Sequence, residues 1–178
     1  KRQLQLLLPR VSIFLDVDDL ESIDALETYV QASQALLVLL GSTKYFGSAN
    51  CLRELVEARR LSLPLVRVHD ADTAKKGGPL SSLRAMATRR LERRDTEHLF
   101  DDAAVIPWPR TYDFQVVSLA AISEQLLRAS PAYASDDQPV ALEVEGAMAW
   151  SQPTFAQPVA VYASPSNPAA ADAVRAVT

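Results

Sequence analysis

Ser48, Cys51 and Glu54 recur at a spacing of three in the segment Tyr45-Phe46-Gly47-Ser48-Ala49-Asn50-Cys51-Leu52-Arg53-Glu54-Leu55. The segment leaves an apolar run, crosses a polar turn and enters a helical pattern, so the three fall on adjacent positions of one side of a helix start. Glu54 has the clearest chemical potential. Its helical neighbours three and four positions away are Asn50, Cys51, Glu57 and Ala58, none of them basic, whereas Arg53 has Glu57 four residues on. A carboxylate in the opening turns of a helix is favoured by the N–H groups exposed there. Glu54 is therefore a candidate functional group. Cys51 as a nucleophile needs a base, and the only histidines, His69 and His98, have no evident link to it. Cys51 reads as a small buried residue and Ser48 or Asn50 as a helix cap.

A second cluster lies in Ile13-Phe14-Leu15-Asp16-Val17-Asp18-Asp19-Leu20, where three carboxylates leave an apolar run. Ligands bind at the carboxyl end of strands in open α/β sheets, and like charges this close call for a cation, a helix N-terminus or solvent, which suggests Mg²⁺. The plainer reading makes Asp18 or Asp19 the cap of a helix beginning near Glu21. Arg89, Arg90, Arg93 and Arg94 read as a solvated helix face, and the adjacent Glu92, Asp95 and Glu97 dilute any anion-binding field. Lys75-Lys76-Gly77-Gly78-Pro79 lacks the order of a phosphate-cradling loop and is assigned no chemistry. Trp108, between two prolines, reads as a core edge.

These groups need elements to hold them. Apolar runs at 11–17, 34–41, 63–69 and 103–108 read as strands buried on both faces. Helical patterns fall between them at 21–33, 50–60 and 79–94, and a further one at 114–130 closes the unit. Such alternation predicts a parallel sheet. Residues 131–157, rich in Ala, Ser, Pro and Gln, read as a linker with a weak strand pattern at 140–144. Residues 158–178 then read as the start of a second α/β domain.

At 178 residues the chain can bury a real core. A net charge of -4 and a pI near 5.2 argue against general nucleic-acid affinity. A single cysteine excludes an internal disulfide framework and favours a reducing, cytoplasmic setting. No stretch approaches the about 18 unbroken apolar residues of a membrane helix, so the chain reads as soluble and without a membrane partner. The opening Lys1 and the run Leu4, Leu6, Leu7, Leu8 lack the features of a signal peptide and read as the start of a piece of a longer protein.

Taken in order, these segments resemble a Toll/interleukin-1 receptor (TIR) domain. IFLDVDDL looks like that family's second strand entering its BB loop, Tyr29-Val30-Gln31-Ala32-Ser33 like the end of the next helix, and Ala35-Leu36-Leu37-Val38-Leu39-Leu40 like the third strand. The segment from Tyr45 to Leu55 resembles the family's S-x-x-C-x-x-E-L pattern. The resemblance covers residues 4–130, within a unit taken as 1–130. It implies a flavodoxin-like doubly wound parallel sheet, self-association with other TIR domains in signal transduction and innate immunity, and in many members hydrolysis of NAD⁺. Glu54 falls on the catalytic glutamate of those members, with Ser48 and Cys51 beside it as substrate-binding positions. Asp16, Asp18, Asp19 and Leu20 fall on the BB loop, as gate or assembly contact. NAD⁺ is then a substrate, and no cofactor or metal is implied. The family's first strand would precede Lys1. Without it the resemblance implies a sheet lacking a central member, and a chain that on its own is unstable or inactive.

A different resemblance competes for the acidic segment. The hhhhDxD pattern is that of haloacid-dehalogenase-type phosphatases, in which Asp16 would be the nucleophile and Asp18 the acid around Mg²⁺. Ser42 supplies a superficial second motif, but Leu20 departs from the usual Thr or Val, and no convincing downstream lysine and acidic pair follows.

Overall fold

The apolar runs at 34–41 and 63–69 become parallel neighbours in a computed structural model of the chain, which describes residues 1–15, 25–42, 44–101 and 104–133. Strand β1 (Leu36–Leu40) pairs with β2 (Leu65–His69), Leu36 opposite Leu65 and Leu40 opposite His69. The short β3 (Ile106–Pro107) continues the sheet through Ile106 opposite Val68, giving the order β1-β2-β3. Parallel strands need crossovers, and helices supply them. In chain order the helices among the described residues are α1 (Arg2–Leu7), α2 (Leu26–Gln31), α3 (Ala49–Arg60), α4 (Leu80–Arg90), α5 (Arg93–Leu99) and α6 (Tyr112–Arg128). The architecture is mixed α/β with a three-stranded parallel sheet.

Both faces of the sheet carry core. Val38, Leu40 and Leu65 pack with Phe46, Leu55, Leu83 and Leu99, which brings α3, α4 and α5 onto one face. Val66, Val68 and Ile106 pack with Leu4 of α1 and with Leu119 and Ile122 of α6 on the other. A fully buried leucine or phenylalanine contributes roughly 1.5–3 kcal/mol, so these two clusters set the orientation of every helix that carries a polar group of interest.

Several sequence expectations need correction. β1 is not buried on both faces: Leu37 and Leu39 are 37% and 53% exposed, while their register partners Val66 and Val68 are each 2% exposed. The cover from α1 and α6 reaches Val66 and Val68 of β2 and Ile106 of β3, and β1 is an edge strand among the described residues. Residues 11–15 form no strand. Packing orders them instead, with Phe14 stacked on Tyr29 of α2 at 4.1 Å and Ile13 against the α1/α6 core. The pattern at 79–94 breaks at Leu91 and Glu92, both extended, and α5 starts afresh so that Asp95, Thr96 and Leu99 can be buried. The run at 103–108 shortens to two paired residues. Helix α1 has no counterpart among the sequence expectations.

Asp16, Asp18, Asp19 and Leu20 lie outside the described residues, as do the linker beyond residue 133 and the unit expected at 158–178. Among the described residues no helix is long and apolar enough to cross a membrane.

Candidate functional site

The connection from β1 to α3 carries Ser48, Cys51 and Glu54. The chain leaves β1 at Leu40 and makes a short 3₁₀ turn at Tyr45–Gly47 with Phe46 buried as its anchor. Ser48, extended at φ -84° and ψ 117°, is the N-cap of α3, and its Oγ accepts a hydrogen bond from the Cys51 N–H at 3.4 Å. Such a cap contributes about 1 kcal/mol. Leu55 and Ala58, both fully buried, fix the rotation of α3. Glu54 stands partly exposed on its second turn, and Cys51 is partly exposed rather than the buried residue expected.

Tyr45 is a neighbour that spacing does not reveal, although it opens the same segment. Its hydroxyl points to the Cys51 carbonyl at 3.5 Å, long for a hydrogen bond, and its ring meets Phe46 edge-on at 5.3 Å. Burial, then the nearby Cys51 and Glu54, push the phenol above its ordinary range, so it remains a neutral donor beside these groups.

The other acids of α3 take fixed partners. Arg53 does not bond Glu57 as its spacing suggested but forks onto Glu27 of α2 at 2.8 and 2.7 Å, which holds the Glu27 carboxyl below its usual range. Glu57 instead receives Arg60 at 2.7 and 2.6 Å and Gln31 of α2 at 2.9 Å. Tertiary geometry overrides the helical spacing because α2 lies along this flank of α3. Arg60 first and Gln31 second lower the Glu57 carboxyl to about 2. A carboxylate depressed in the folded state stabilises the fold above its unfolded value and loses that contribution as pH falls through the folded one. Glu57 is thus expected to contribute an acid-sensitive part of the stability between pH 4.5 and about 2. Urea midpoints across that range should fall less steeply in Glu57→Gln than in the wild type.

At the carboxyl edge the three strand ends converge. Trp108 N–H donates to the His69 carbonyl at 2.7 Å, and Trp108 packs at the core edge, as its place in the sequence suggested. Asp70, directly after β2 and only 6% exposed, pairs with Arg110 from beyond β3 and accepts the Asp72 N–H at 3.0 Å. His69 Nε2 lies 2.7 Å from the Gly78 carbonyl. Asp70 and Arg110 had no role in the sequence expectations. An acid immediately following an apolar strand was the available signal.

Gly77 gives the Lys75–Pro79 loop a structural reason for its glycine. A Cβ there would meet the Asp70 carbonyl and lie 2.8 Å from both the Asp72 N and O, all backbone atoms that cannot yield cheaply. Gly77→Ala is therefore expected to cost about 1–3 kcal/mol of stability, read by urea unfolding, through displacement of the 70–78 loop. An unchanged midpoint would show that the loop carries no such constraint.

A shallow groove of about 510 Å³ opens on another flank of α3, between Glu27, Leu52, Arg53, Val56, Arg90 and Asp95. Ser48, Cys51 and Glu54 do not line it. Its arginines are committed, Arg53 to Glu27, Arg59 to Asp95 and Arg90 to the Phe46 carbonyl. The groove shares Ala49, Leu52 and Arg53 with the 48–54 segment but not Ser48, Cys51 and Glu54, which are the better candidates because they stand at the sheet's carboxyl edge. Among the described residues no three His, Cys, Asp or Glu side chains form a metal-binding group.

The fold and site define an α/β protein with a polar helix start at the edge of a parallel sheet. No protein-family profile, curated protein or solved structure matches the chain.

Proposed function

We propose that the chain is a TIR-type signalling domain with a flavodoxin-like sheet, acting inside the cell, which self-associates and in the assembled state cleaves NAD⁺ with Glu54 as its catalytic carboxylate. The observation that carries this reading is the join of β1 to α3. A 3₁₀ turn anchored by the buried Phe46 and a capping Ser48 fix the start of α3, and Glu54 follows on its second turn, partly exposed and within the electrostatic reach of a neutral Tyr45 phenol.

The chemistry asks little more than one positioned anion. The bond between ribose C1′ and the nicotinamide nitrogen breaks with its electron pair leaving on nicotinamide, and positive charge develops on the ribose as an oxocarbenium-like species. Glu54 accepts hydrogen bonds from the ribose hydroxyls and stabilises that charge, which is stronger in the transition state than in bound NAD⁺. Water adds at C1′ and loses a proton to solvent, leaving ADP-ribose, nicotinamide and H⁺.

Assembly and turnover should rise together. With the protein at its full natural length, nicotinamide release per protomer is expected to increase with concentration and with a crowding agent, in step with the mass measured by light scattering. Turnover independent of assembly would overturn the coupling, and assembly without any nicotinamide would leave an association module and remove the enzymatic half of the proposal.

A further inference from the structure

The end of α5 is held by a buried cation. Arg67 lies in the middle of β2 and is 4% exposed. Its Nε donates to the Leu99 carbonyl at 2.8 Å, its Nη2 to the His98 carbonyl at 2.7 Å, and Nη2 stands 2.8 Å from an Asp101 carboxylate oxygen. Arg59 of α3 ties the other end of α5 by pairing with Asp95, itself 3% exposed. From α4, Arg84 reaches the Phe100 carbonyl at 3.3 Å.

His98 sits inside this frame with its Nε2 buried and without a hydrogen-bonding partner among the described residues. A neutral imidazole meets that situation by leaving its lone pair there, whereas an imidazolium would bury an unmatched N–H. Arg67 and Arg59 add like charges that Asp95 and Asp101 offset in part. Burial first, then Arg67, hold His98 below the ordinary histidine range.

We infer that α5 is an acid-sensitive latch on β2: protonation of His98 releases the end of α5 from Arg67 and opens the helix as a unit. The direction follows from linkage. Below the ordinary histidine value of about 6.5, the open form takes up a proton that the docked form refuses, so acidification favours opening until the docked imidazole itself titrates. Between pH 6.5 and 5.5 the opening constant rises by this effect, by about fivefold at most, the limit in which the docked imidazole stays neutral throughout. Opening uncovers Thr96 and the fully buried Leu99, and it does not depend on the NAD⁺ reading.

The test is amide hydrogen exchange of the whole chain at pH 7.5, 6.5 and 5.5, corrected for intrinsic exchange. Amides of 93–100 in the wild type should open more readily at pH 5.5 than at 6.5, by up to about fivefold, those of α3 should not, and His98→Gln should remove the pH dependence at 93–100. The same rise in His98→Gln, or a rise shared equally by α3, would overturn the latch. Should His98→Gln fail to fold, the NMR titration of His98 in the wild type decides: a midpoint below the ordinary value supports the latch, and an ordinary midpoint near 6.5 overturns it.

Discussion

Arg67→Ala is expected to lower the unfolding free energy by about 3–5 kcal/mol, the combined cost of leaving two carbonyls without their donor and emptying the volume of a buried side chain. Arg67 is the only link described between β2 and the carbonyls of His98 and Leu99, and its removal leaves both without that donor. Asp101, half exposed, can turn to water, so the loss comes mainly from the carbonyls and the vacated volume. Domains of this size are stable by only about 5–15 kcal/mol, which makes the change a large share of the whole. Arg67→Lys should recover little, because an ammonium cannot fork across two carbonyls and a carboxylate. Urea unfolding reads both variants. A loss below about 1 kcal/mol for Arg67→Ala would mean the guanidinium is not the anchor of α5.

Glu54→Ala is expected to reduce nicotinamide release by at least about 100-fold, the scale seen when a group directed at developing charge is removed. The fold should survive it, since Glu54 is partly exposed and the orientation of α3 rests on Leu55, Ala58 and the Ser48 cap. Glu54→Gln separates charge from shape: it preserves the side-chain volume, and the proposed role requires it to lose nearly as much activity as Ala. Glu57 provides the opposite pattern on the same helix. Its carboxylate is occupied by Arg60 and Gln31, so Glu57→Ala should destabilise the domain and leave turnover per folded molecule unchanged. Equal activity losses at the two positions would indicate that α3 merely needs to be intact.

The parts of this fold legible in the sequence were those governed by local chemistry. Leu36–Leu40 and Leu65–His69 announced strands by their apolar runs, and a cap at Ser48 or Asn50 followed from residue type, with Ser48 taking the role. The misses have tertiary causes. Arg53 had an acid at helical distance yet bonds Glu27, because α2 packs on that flank. Leu37 and Leu39 looked like core and lie exposed, because burial depends on which strands the helices reach. No periodicity marks the break at Leu91, since Leu91 itself packs against the core while the chain turns. Arg67 could not be picked out as an anchor, its partners being carbonyls some thirty residues on. For the site, the residue types at Ser48, Cys51 and Glu54 were legible, whereas the closeness of Tyr45 required the folded turn.

Nicotinamide formed from NAD⁺ under crowding, by the full-length wild type and by Glu54→Ala at matched folded concentration, tests the central claim most directly. The account predicts steady release from the first and essentially none from the second. Equal release from both, or none from a wild type that assembles, would contradict it.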